Sequence, residues 1–138
     1  MVIVPFTVEG DEIVGRILTR LLGVEKIKSE VLSWRALRAE KIEQLRELRA
    51  DCILLSAIEA RSSMAIGKMA RSIKMVLPEV IVLVGLWGLP SQGGARVIRK
   101  IQESSAGSVY TSLTQAVRGI DSLVSTASQE ESPAPVSN

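Results

Sequence analysis

The sequence predicts an α/β domain, in which helices cover both faces of a parallel β-sheet. Two short apolar runs, Cys52–Leu55 and Val80–Val84, are rich in Val, Ile and Leu and show no polar alternation. Strands buried on both faces of a parallel sheet have this pattern. Between the runs, apolar residues recur at the spacing of an amphipathic helix: Ile66, Met69, Ala70, Ile73, Val76 and Leu77. Strand, helix and strand in this order form a right-handed βαβ unit.

Two more strand–helix pairs precede this unit. In chain order, we predict a strand at Val2–Pro5, a helix from Gly10 or Asp11 through Leu22, a weaker strand at Ile27–Leu32, and a helix from Ser33 through Leu48. Gly23 is expected to end the first helix and Ser33 to cap the second. The first helix is expected to carry one apolar stripe, made of Ile13, Val14, Ile17, Leu18, Leu21 and Leu22.

A helix and one more strand–helix pair follow the central unit. We predict a loop at Leu89–Gly93, a helix from Gly94 to about Glu103, a short strand at Gly107–Thr111, and a last helix from Thr111 or Ser112 that carries Leu113, Val117, Ile120 and Leu123. The segment 127–138 is rich in Ser, Glu and Pro and has little to bury, so we predict a disordered tail there. A single domain would then occupy residues 1–126.

Five strands that alternate with five helices predict a three-layer sandwich of the flavodoxin-like type. The expected strand order is 2-1-3-4-5, which places any ligand at the carboxyl ends of the strands, near the switch between the first and third strands. Aromatic residues make up only 3% of the chain, so aliphatic side chains must fill the core. Such a composition suits helices on a parallel sheet better than an antiparallel sandwich.

Composition excludes several classes of function. The net charge of +2 gives no argument for a nucleic-acid partner, and the chain has no histidine, the commonest metal ligand and general base. Cys52 is the only cysteine and is expected to be an inert core residue. The longest nearly apolar run, Val80–Pro90, is shorter than the roughly 20 residues of a membrane span. No basic and apolar stretch with a small-residue cleavage site precedes that run, and we expect a soluble segment without metal or cofactor.

Four loops should meet at the carboxyl edge of the sheet: Phe6–Asp11, Ser56–Arg61, Gly85–Gly88 and Thr111–Ser112. The candidate ligand-binding residues in these loops are Asp11, Ser56, Gly85, Trp87, Gly88 and Ser112. A phosphorelay receiver would need an aspartate at the end of the third strand and a lysine after the fifth. Ser56 and Thr111–Ser112 stand there instead, so we do not expect phosphoryl transfer. Ser56 also has no histidine to activate it, and we expect no enzyme.

Trp87 has two interpretations. Strand-end glycines such as Gly85 and Gly88 allow a ligand or a neighbouring segment to approach the backbone closely. A tryptophan between them can therefore anchor a ligand, or it can fold back over the end of the sheet and fill the space itself. The first loop, Phe6–Asp11, offers one hydroxyl and two carboxylates, which disfavours a phosphate-binding loop.

At these residues the chain resembles the cobalamin-binding domain. In that family the third strand ends Ser-x-Leu, the fourth ends Gly-Gly, and Asp-x-His-x-x-Gly follows the first. Ser56-Ala-Ile58 is similar to the first motif and Gly85-Leu-Trp-Gly88 to the second. Where the third motif should lie, Ile13 replaces the histidine and Gly15 comes one place early. The resemblance implies the same fold, but without the histidine ligand we expect no tight cobalamin binding.

The chain also resembles a soluble domain attached to membrane permeases of the autoinducer-2 exporter family. The similarity runs from Met69-Ala-Arg-Ser-Ile-Lys74 through Leu77-Pro-Glu79 to Val84-Gly-Leu-Trp-Gly88, which is its most specific part. This resemblance implies a non-catalytic accessory domain on the cytoplasmic face of the inner membrane, whose partner is the membrane portion of the same permease. The alternative is a cobalamin-like small-molecule binding module that serves an enzyme or regulator.

Basic residues are concentrated in one part of the chain. Between residues 61 and 100 there are seven of them against one acid, Glu79: Arg61, Lys68, Arg71, Lys74, Arg96, Arg99 and Lys100. The two helices of this region should lie side by side, so most of these charges would share one surface. That surface is either an ordinary solvated helix face or one that rests near anionic lipid. The membrane-facing candidates are Arg71, Lys74, Arg96 and Arg99.

Overall fold

Strands and helices alternate along the chain in a computed structural model, which describes residues 1–59, 63–88, 94–103 and 107–131. The elements are β1 (Val2–Pro5), α1 (Glu9–Val24), β2 (Glu30–Val31), α2 (Arg38–Glu47), β3 (Cys52–Ala57), α3 (Ser63–Val76), β4 (Ile81–Leu86), α4 (Gly94–Gln102), β5 (Val109–Tyr110) and α5 (Leu113–Glu131). The predicted loop at Leu89–Gly93 lies outside the described residues.

The five strands form one sheet in the order β2-β1-β3-β4-β5, and all neighbours are parallel. The predicted fold class and strand order are therefore confirmed. The two apolar runs become β3 and β4, the longest strands, whose interior residues are buried on both faces. β2 and β5 have two residues each, which suits their place at the edges because short edge strands expose few unpaired backbone groups.

The sheet separates two apolar layers. On one face, side chains of α2, α3 and α4 cover alternate residues of the strands: Leu45, Ile66, Ile73 and Ile101 belong to the same cluster as Ile53, Leu55, Val82 and Val84. On the other face, α1 and α5 supply Leu18, Leu22, Ala116 and Ile120 over Ile3, Leu54 and Leu83. Both faces of the central strands are covered, which is why their sequences need no polar positions.

The single apolar stripe predicted for α1 is wrong. Leu18 and Leu22 are fully buried, whereas Ile13 is 52% exposed and Ile17 and Leu21 are 45% and 39% exposed. At about 3.6 residues per turn, the outward row lies roughly a third of a turn away from the buried one. The sheet and α5 cover only one side of the helix, so the outward row continues uncovered to Val24, which is 78% exposed.

Helix ends differ from the prediction at two places. α1 continues past Gly23, and the residue in the left-handed conformation is Lys26, with a φ of 62°. Arg49 does the same after α2, with a φ of 52°. In both turns the next amide reaches back five residues, from Ile27 to the Leu22 carbonyl and from Ala50 to the Leu45 carbonyl. This backbone pattern ends a helix without a glycine.

The start of α2 and the end of the last helix also differ from the prediction. Ser33 does not cap α2; its Oγ accepts the Arg35 amide in a turn, and the N-cap residue is Leu37. α5 extends to Glu131, five residues into the segment 127–138 that was predicted to be disordered. Residues 132–138 lie outside the described part of the chain.

Candidate functional site

The register of the sheet brings the ends of four strands into one row. Pro5 pairs with Ser56, Ser56 with Gly85, and Gly85 with Tyr110. This row is the carboxyl edge of the sheet, where proteins of this architecture bind ligands. Three of the candidate residues, Ser56, Gly85 and Trp87, therefore lie at the end of β3 and β4, as the sequence predicts.

Asp11 holds two of the edge loops together. Its side chain is 2% exposed although it is charged. Oδ2 accepts the backbone N–H groups of Thr7 and Val8 at 2.9 and 3.0 Å, and Oδ1 accepts that of Ile58 at 2.9 Å. The carboxylate thus joins the β1–α1 loop to the β3–α3 loop, and its position in the first turn of α1 favours a negative charge. Both carboxylate oxygens are therefore already occupied by hydrogen bonds within the chain.

Ser56 and Trp87 continue this network. The Ser56 hydroxyl donates to the backbone carbonyl of Asp11 at 2.9 Å and accepts the Trp87 indole N–H at 2.8 Å. Ser56 is fully buried, and its one proton and an oxygen lone pair are both engaged. A serine held in this way positions a tryptophan; it is not a free nucleophile.

Trp87 folds back over the end of β4. A Cβ added at Gly85 would lie 2.1 Å from Cζ2 of the Trp87 ring, so only glycine leaves room for the indole there. The Trp87 backbone N–H also donates to the Ala57 carbonyl at 3.0 Å. The indole is half-buried and packs with the cluster beneath α1 and α5. The structure therefore shows the second of the two arrangements considered for Trp87, in which the side chain covers the strand end.

Gly88 and Gly10 let two loops approach Ile58. A Cβ at Gly88 would come within 2.3 Å of the Ile58 carbonyl oxygen, and one at Gly10 within 2.8 Å of Ile58 Cδ1. The only cavity described between Phe6, Asp11 and Glu59 has a volume of about 10 Å³, which is room for a single water at most. Around Ser56, Gly85 and Trp87, the described residues of this edge thus leave no ligand-sized space.

Ser112 lies apart from this network. Its Oγ accepts the Gln115 amide at 3.2 Å, while the Gln115 side chain accepts the backbone and hydroxyl groups of Thr111. Ser112 therefore caps α5, and within the described residues no hydrogen bond joins it to Ser56 or Trp87. The loop Ser56–Arg61 was predicted to contribute here as well, but its last two residues lie outside the described part of the chain.

Sequence reasoning missed Lys41. It lies on α2 and is 3% exposed, and its ammonium donates to the backbone carbonyls of Pro5 and Phe6, both at 2.9 Å. Burial lowers the pKa of Lys41 below its usual 10.5, and the nearby Asp11 carboxylate opposes that shift. The signal was present: Lys41 stands four residues from both Leu37 and Leu45, on the row that faces the sheet.

Cys52 matches the expectation of an unreactive thiol. It lies at the start of β3 and is half-buried. Burial raises the pKa of the Cys52 thiol to about 11, so at neutral pH almost none of it is the reactive thiolate. Within the residues that the structure describes, no group of three or more acidic or cysteine side chains is placed to hold a metal ion.

The membrane-facing candidates occupy α3 and α4, which pack beside each other. Arg71, Arg96 and Arg99 are exposed. Lys74 is half-buried, and its ammonium donates to the carbonyls of Pro78 and Val80 at 3.2 and 2.8 Å. These hydrogen bonds hold the turn into β4, so Lys74 is less available to a membrane surface than the three arginines. Arg61 lies outside the described residues. No helix in the described ranges is long and apolar enough to cross a membrane.

A scan against models of protein families finds no match, and neither does a comparison with curated proteins. Solved structures do match. An orphan response regulator of H. pylori superposes with a TM-score of 0.59 at 19% identity, over 88% of this chain and 94% of that one. A CheY-like protein (TadZ) from Pseudomonas aeruginosa gives 0.62 at 15%, over 100% and 98%.

A third similar structure is the monomethylamine corrinoid protein of Methanosarcina barkeri. It has a TM-score of 0.66 at 16% identity, and the match covers 88% of this chain but only 57% of that one. At such low identity the likeness shows a shared flavodoxin-like fold and no shared chemistry. CheY-like regulators and a corrinoid protein are built on the fold, so the residues at the edge decide what this chain does.

Proposed function

We propose that this chain is a non-catalytic regulatory or interaction domain that serves the membrane portion of a permease of the autoinducer-2 exporter type. One observation carries the non-catalytic part. At the ends of β3 and β4, on the carboxyl edge where this fold binds ligands, the Trp87 ring covers Gly85. The indole N–H donates to Ser56, whose hydroxyl donates to the Asp11 carbonyl. The chain's own side chains close this half of the edge.

Phosphoryl transfer does not suit this arrangement. A receiver needs a carboxylate acceptor that is open to a metal ion and a phosphodonor. The one buried carboxylate described at this edge, Asp11, already accepts three backbone N–H groups. Ser56, in the acceptor's place on β3, is fully buried. A domain that keeps the fold but lacks these groups can act through its surfaces.

One surface is suited to contact with a partner. Ile13, Ile17, Leu21 and Val24 form an exposed apolar row along α1. The resemblance at Val84–Gly88 favours, as the partner of this surface, the membrane portion of the same protein on the cytoplasmic face of the inner membrane. Contact with that portion would remove the apolar row from water, which is favourable by about 25 cal/mol per Å² of apolar surface.

The size and location of the native protein test the permease assignment. An antibody raised against this 138-residue chain would be used on fractionated cells of the source organism. We expect a band well above 14.9 kDa in the membrane fraction, released by detergent and retained after a carbonate wash. A band at the size of the isolated chain in the soluble fraction contradicts the assignment.

The basic face gives a second test. If α3 and α4 rest on the cytoplasmic leaflet, each exposed basic residue contributes about 1 kcal/mol of attraction before screening. The chain should co-sediment with phosphatidylserine-containing vesicles at low salt and lose binding after reversal of Arg71, Arg96 and Arg99 to glutamate. A matched triple reversal on the opposite face of the sheet, at the exposed Arg16 and Arg20 of α1 and Arg118 of α5, should bind like the wild type. An equal loss of vesicle binding in the two triple variants, or no vesicle binding at low salt, would contradict the proposed membrane contact.

A small-molecule binding module is the second candidate, and the structural likeness to the corrinoid protein favours it. That protein's name states what it carries, and the fold match is good. Two features oppose the same cargo here: Ile13 stands where the cobalamin-binding motif has its histidine, and the side chain of Trp87 occupies the strand end. A ligand would have to enter elsewhere along the edge.

A further inference from the structure

We propose that a groove between α2 and α3 binds a small organic phosphate with a planar ring, of about the size of a mononucleotide. The groove has a volume of about 450 Å³, within the range of roughly 300–1,000 Å³ that small-molecule sites occupy. Its walls combine basic with aromatic and aliphatic side chains, chiefly Phe6, Trp34, Arg35, Arg38, Lys41 and Lys68. The groove could bind such a ligand whether or not the domain serves a transporter.

The groove lies at the other half of the same carboxyl edge. Phe6 and Thr7 follow directly on β1 and line it, and the Phe6 amide donates to the Ser56 carbonyl at 2.9 Å. β1 has β2 on one side and β3 on the other, so the chain changes direction across the sheet here. Open α/β sheets bind ligands at this switch point. Trp87 closes the β3–β4 side of the edge but does not line the groove.

Four cationic side chains line the groove, and none of them is in an ion pair described for this chain. Lys41 donates to two backbone carbonyls, and Arg38 donates to the Lys68 carbonyl and the Ser72 hydroxyl. Arg35 stacks over Trp34, with 5.4 Å between guanidinium and ring centre. Neutral partners leave the positive charges uncompensated, and phosphate is the anion for which clustered arginines are best suited.

Three acids neighbour residues that line the groove, and two of them are engaged in other contacts. Burial lowers the pKa of Lys41 and the Asp11 charge only partly offsets that shift, while three backbone N–H groups occupy the Asp11 oxygens. Glu12 accepts the Trp34 amide at 3.1 Å and pairs with Arg16 at 3.0 Å. Glu40, in the first turn of α2, is exposed. None of these three carboxylates lines the groove.

The apolar part of the groove explains why a ring is needed. Phe6, Trp34, Leu37 and Met69 line it beside the cations, and Leu37 is 68% exposed, so the groove leaves apolar surface in water. A flat ring would cover that surface and stack on an aromatic face, while its phosphate reaches Arg35, Arg38 and Lys68. Inorganic phosphate alone would leave the apolar side wet.

A nuclear magnetic resonance titration of the ¹⁵N-labelled chain with adenosine 5′-monophosphate tests this assignment. We expect saturable shifts at Phe6, Thr7 and the Trp34 indole, with a dissociation constant below about 1 mM. Adenosine and inorganic phosphate, which each lack half of the recognised chemistry, should bind at least about tenfold more weakly.

Charge removal locates the site. The double variant Arg35→Gln, Lys68→Gln removes two charges and breaks no hydrogen bond described for these two residues, because those bonds use the Arg35 amide and the Lys68 carbonyl. It should bind adenosine 5′-monophosphate at least about tenfold more weakly with an unchanged unfolding midpoint. The control Arg71→Gln, Arg96→Gln removes the same charge from exposed positions on α3 and α4 and should bind like the wild type.

Three results would overturn the assignment. One is the absence of saturable shifts up to about 10 mM ligand, far weaker than a built site gives. Another is an equal loss of affinity in both double variants, which would show attraction to overall charge. The third is that the acidic aromatic peptide Asp-Glu-Phe-Asp-Glu shifts the same signals at lower concentration than the nucleotide, which would make the groove a peptide site.

Discussion

One half of the carboxyl edge is closed by side chains of the protein, whereas the other half is open. At the ends of β3 and β4, Trp87, Ser56 and Asp11 form a hydrogen-bonded chain, and the described residues there leave no ligand-sized space. Beside β1, a groove of about 450 Å³ stays open and carries cations without acidic partners. Both halves lie on the same row of strand ends, so the fold itself does not decide where the edge is open.

The difference between the two halves follows from the size of their side chains and from whether their polar groups have partners within the chain. In the closed half, every polar group named here has a partner within the chain, and a ring fills the space that Gly85 leaves. In the open half, the partners of the cations are neutral carbonyls and a hydroxyl. Polar groups whose hydrogen bonds are all made within the chain stabilise the fold. Charged groups without an oppositely charged partner remain available to a ligand.

Substitution of Gly85 should break the closed half most severely. In Gly85→Ala the new methyl would lie 2.1 Å from the Trp87 ring, so the indole must move and Ser56 loses its donor. We expect a loss of about 3 kcal/mol in the free energy of unfolding, measured with urea and circular dichroism.

Two variants control this result. Gly23→Ala, where a Cβ meets nothing within 4 Å, should be neutral or stabilising by up to about 1 kcal/mol. Adding Trp87→Ala to Gly85→Ala should lose less than the sum of the two single losses, because the clash is gone. Strict additivity would show that the indole does not lie on Gly85.

Loss of the Asp11 charge should loosen the same half by a smaller amount. Asp11→Asn keeps the shape but turns an acceptor into a donor that faces backbone N–H groups. We expect a loss of about 2 kcal/mol in urea unfolding. The matched variant Glu9→Gln removes the same charge from the same helical turn at an exposed position and should lose at most about 0.5 kcal/mol. Equal losses in the two variants would mean that Asp11 acts only on the helix dipole.

A pH series on Lys41 sharpens the contrast with the open half. Burial lowers the pKa of folded Lys41 below the 10.5 of the unfolded chain. Between these two values the unfolded chain binds more protons, so stability due to Lys41 rises with pH in that window. Wild type minus Lys41→Met, measured by urea unfolding at pH 7 and pH 10, should therefore shift in favour of the wild type at the higher pH.

The difference between the two chains isolates Lys41 from other groups. The pKa values of Cys52 and Tyr110 are raised mainly by burial, and these shifts make both chains less stable in alkali. They are common to both proteins and cancel in the difference. A difference that is flat or falls with pH contradicts a buried ammonium at this position.

Periodicity was enough to predict the alternation of strands and helices, because buried parallel strands and amphipathic helices have distinct patterns. The strand order followed from the fold class that this alternation indicates. The same rule failed on α1, since seeing that Ile13, Ile17 and Leu21 are apolar does not reveal which side the sheet covers. The end of α1 was predicted at Gly23 because glycine commonly ends a helix. The left-handed residue is Lys26 instead, and its residue type does not indicate that conformation. Tertiary cover and backbone geometry decided these points.

The candidate site was predicted in part. Ser56, Gly85 and Trp87 could be placed together because strand ends align across a parallel sheet. Their hydrogen-bond partners could not, since Asp11 reaches Ile58 across 47 positions of sequence. The groove was missed because its residues come from three separate segments and share no motif. Lys41 alone gave a signal, as a charge on an apolar row.

The central claim is that Trp87 closes the β3–β4 end of the edge, and cobalamin binding tests it most directly. The chain would be titrated with hydroxocobalamin and with adenosylcobalamin, followed by visible spectra and gel filtration, with a known cobalamin-binding protein as positive control. The account predicts that both corrinoids elute apart from the protein with unchanged spectra, because the indole occupies the strand end and Ile13 offers no lone pair to cobalt. Co-elution of either corrinoid near one-to-one stoichiometry would contradict it.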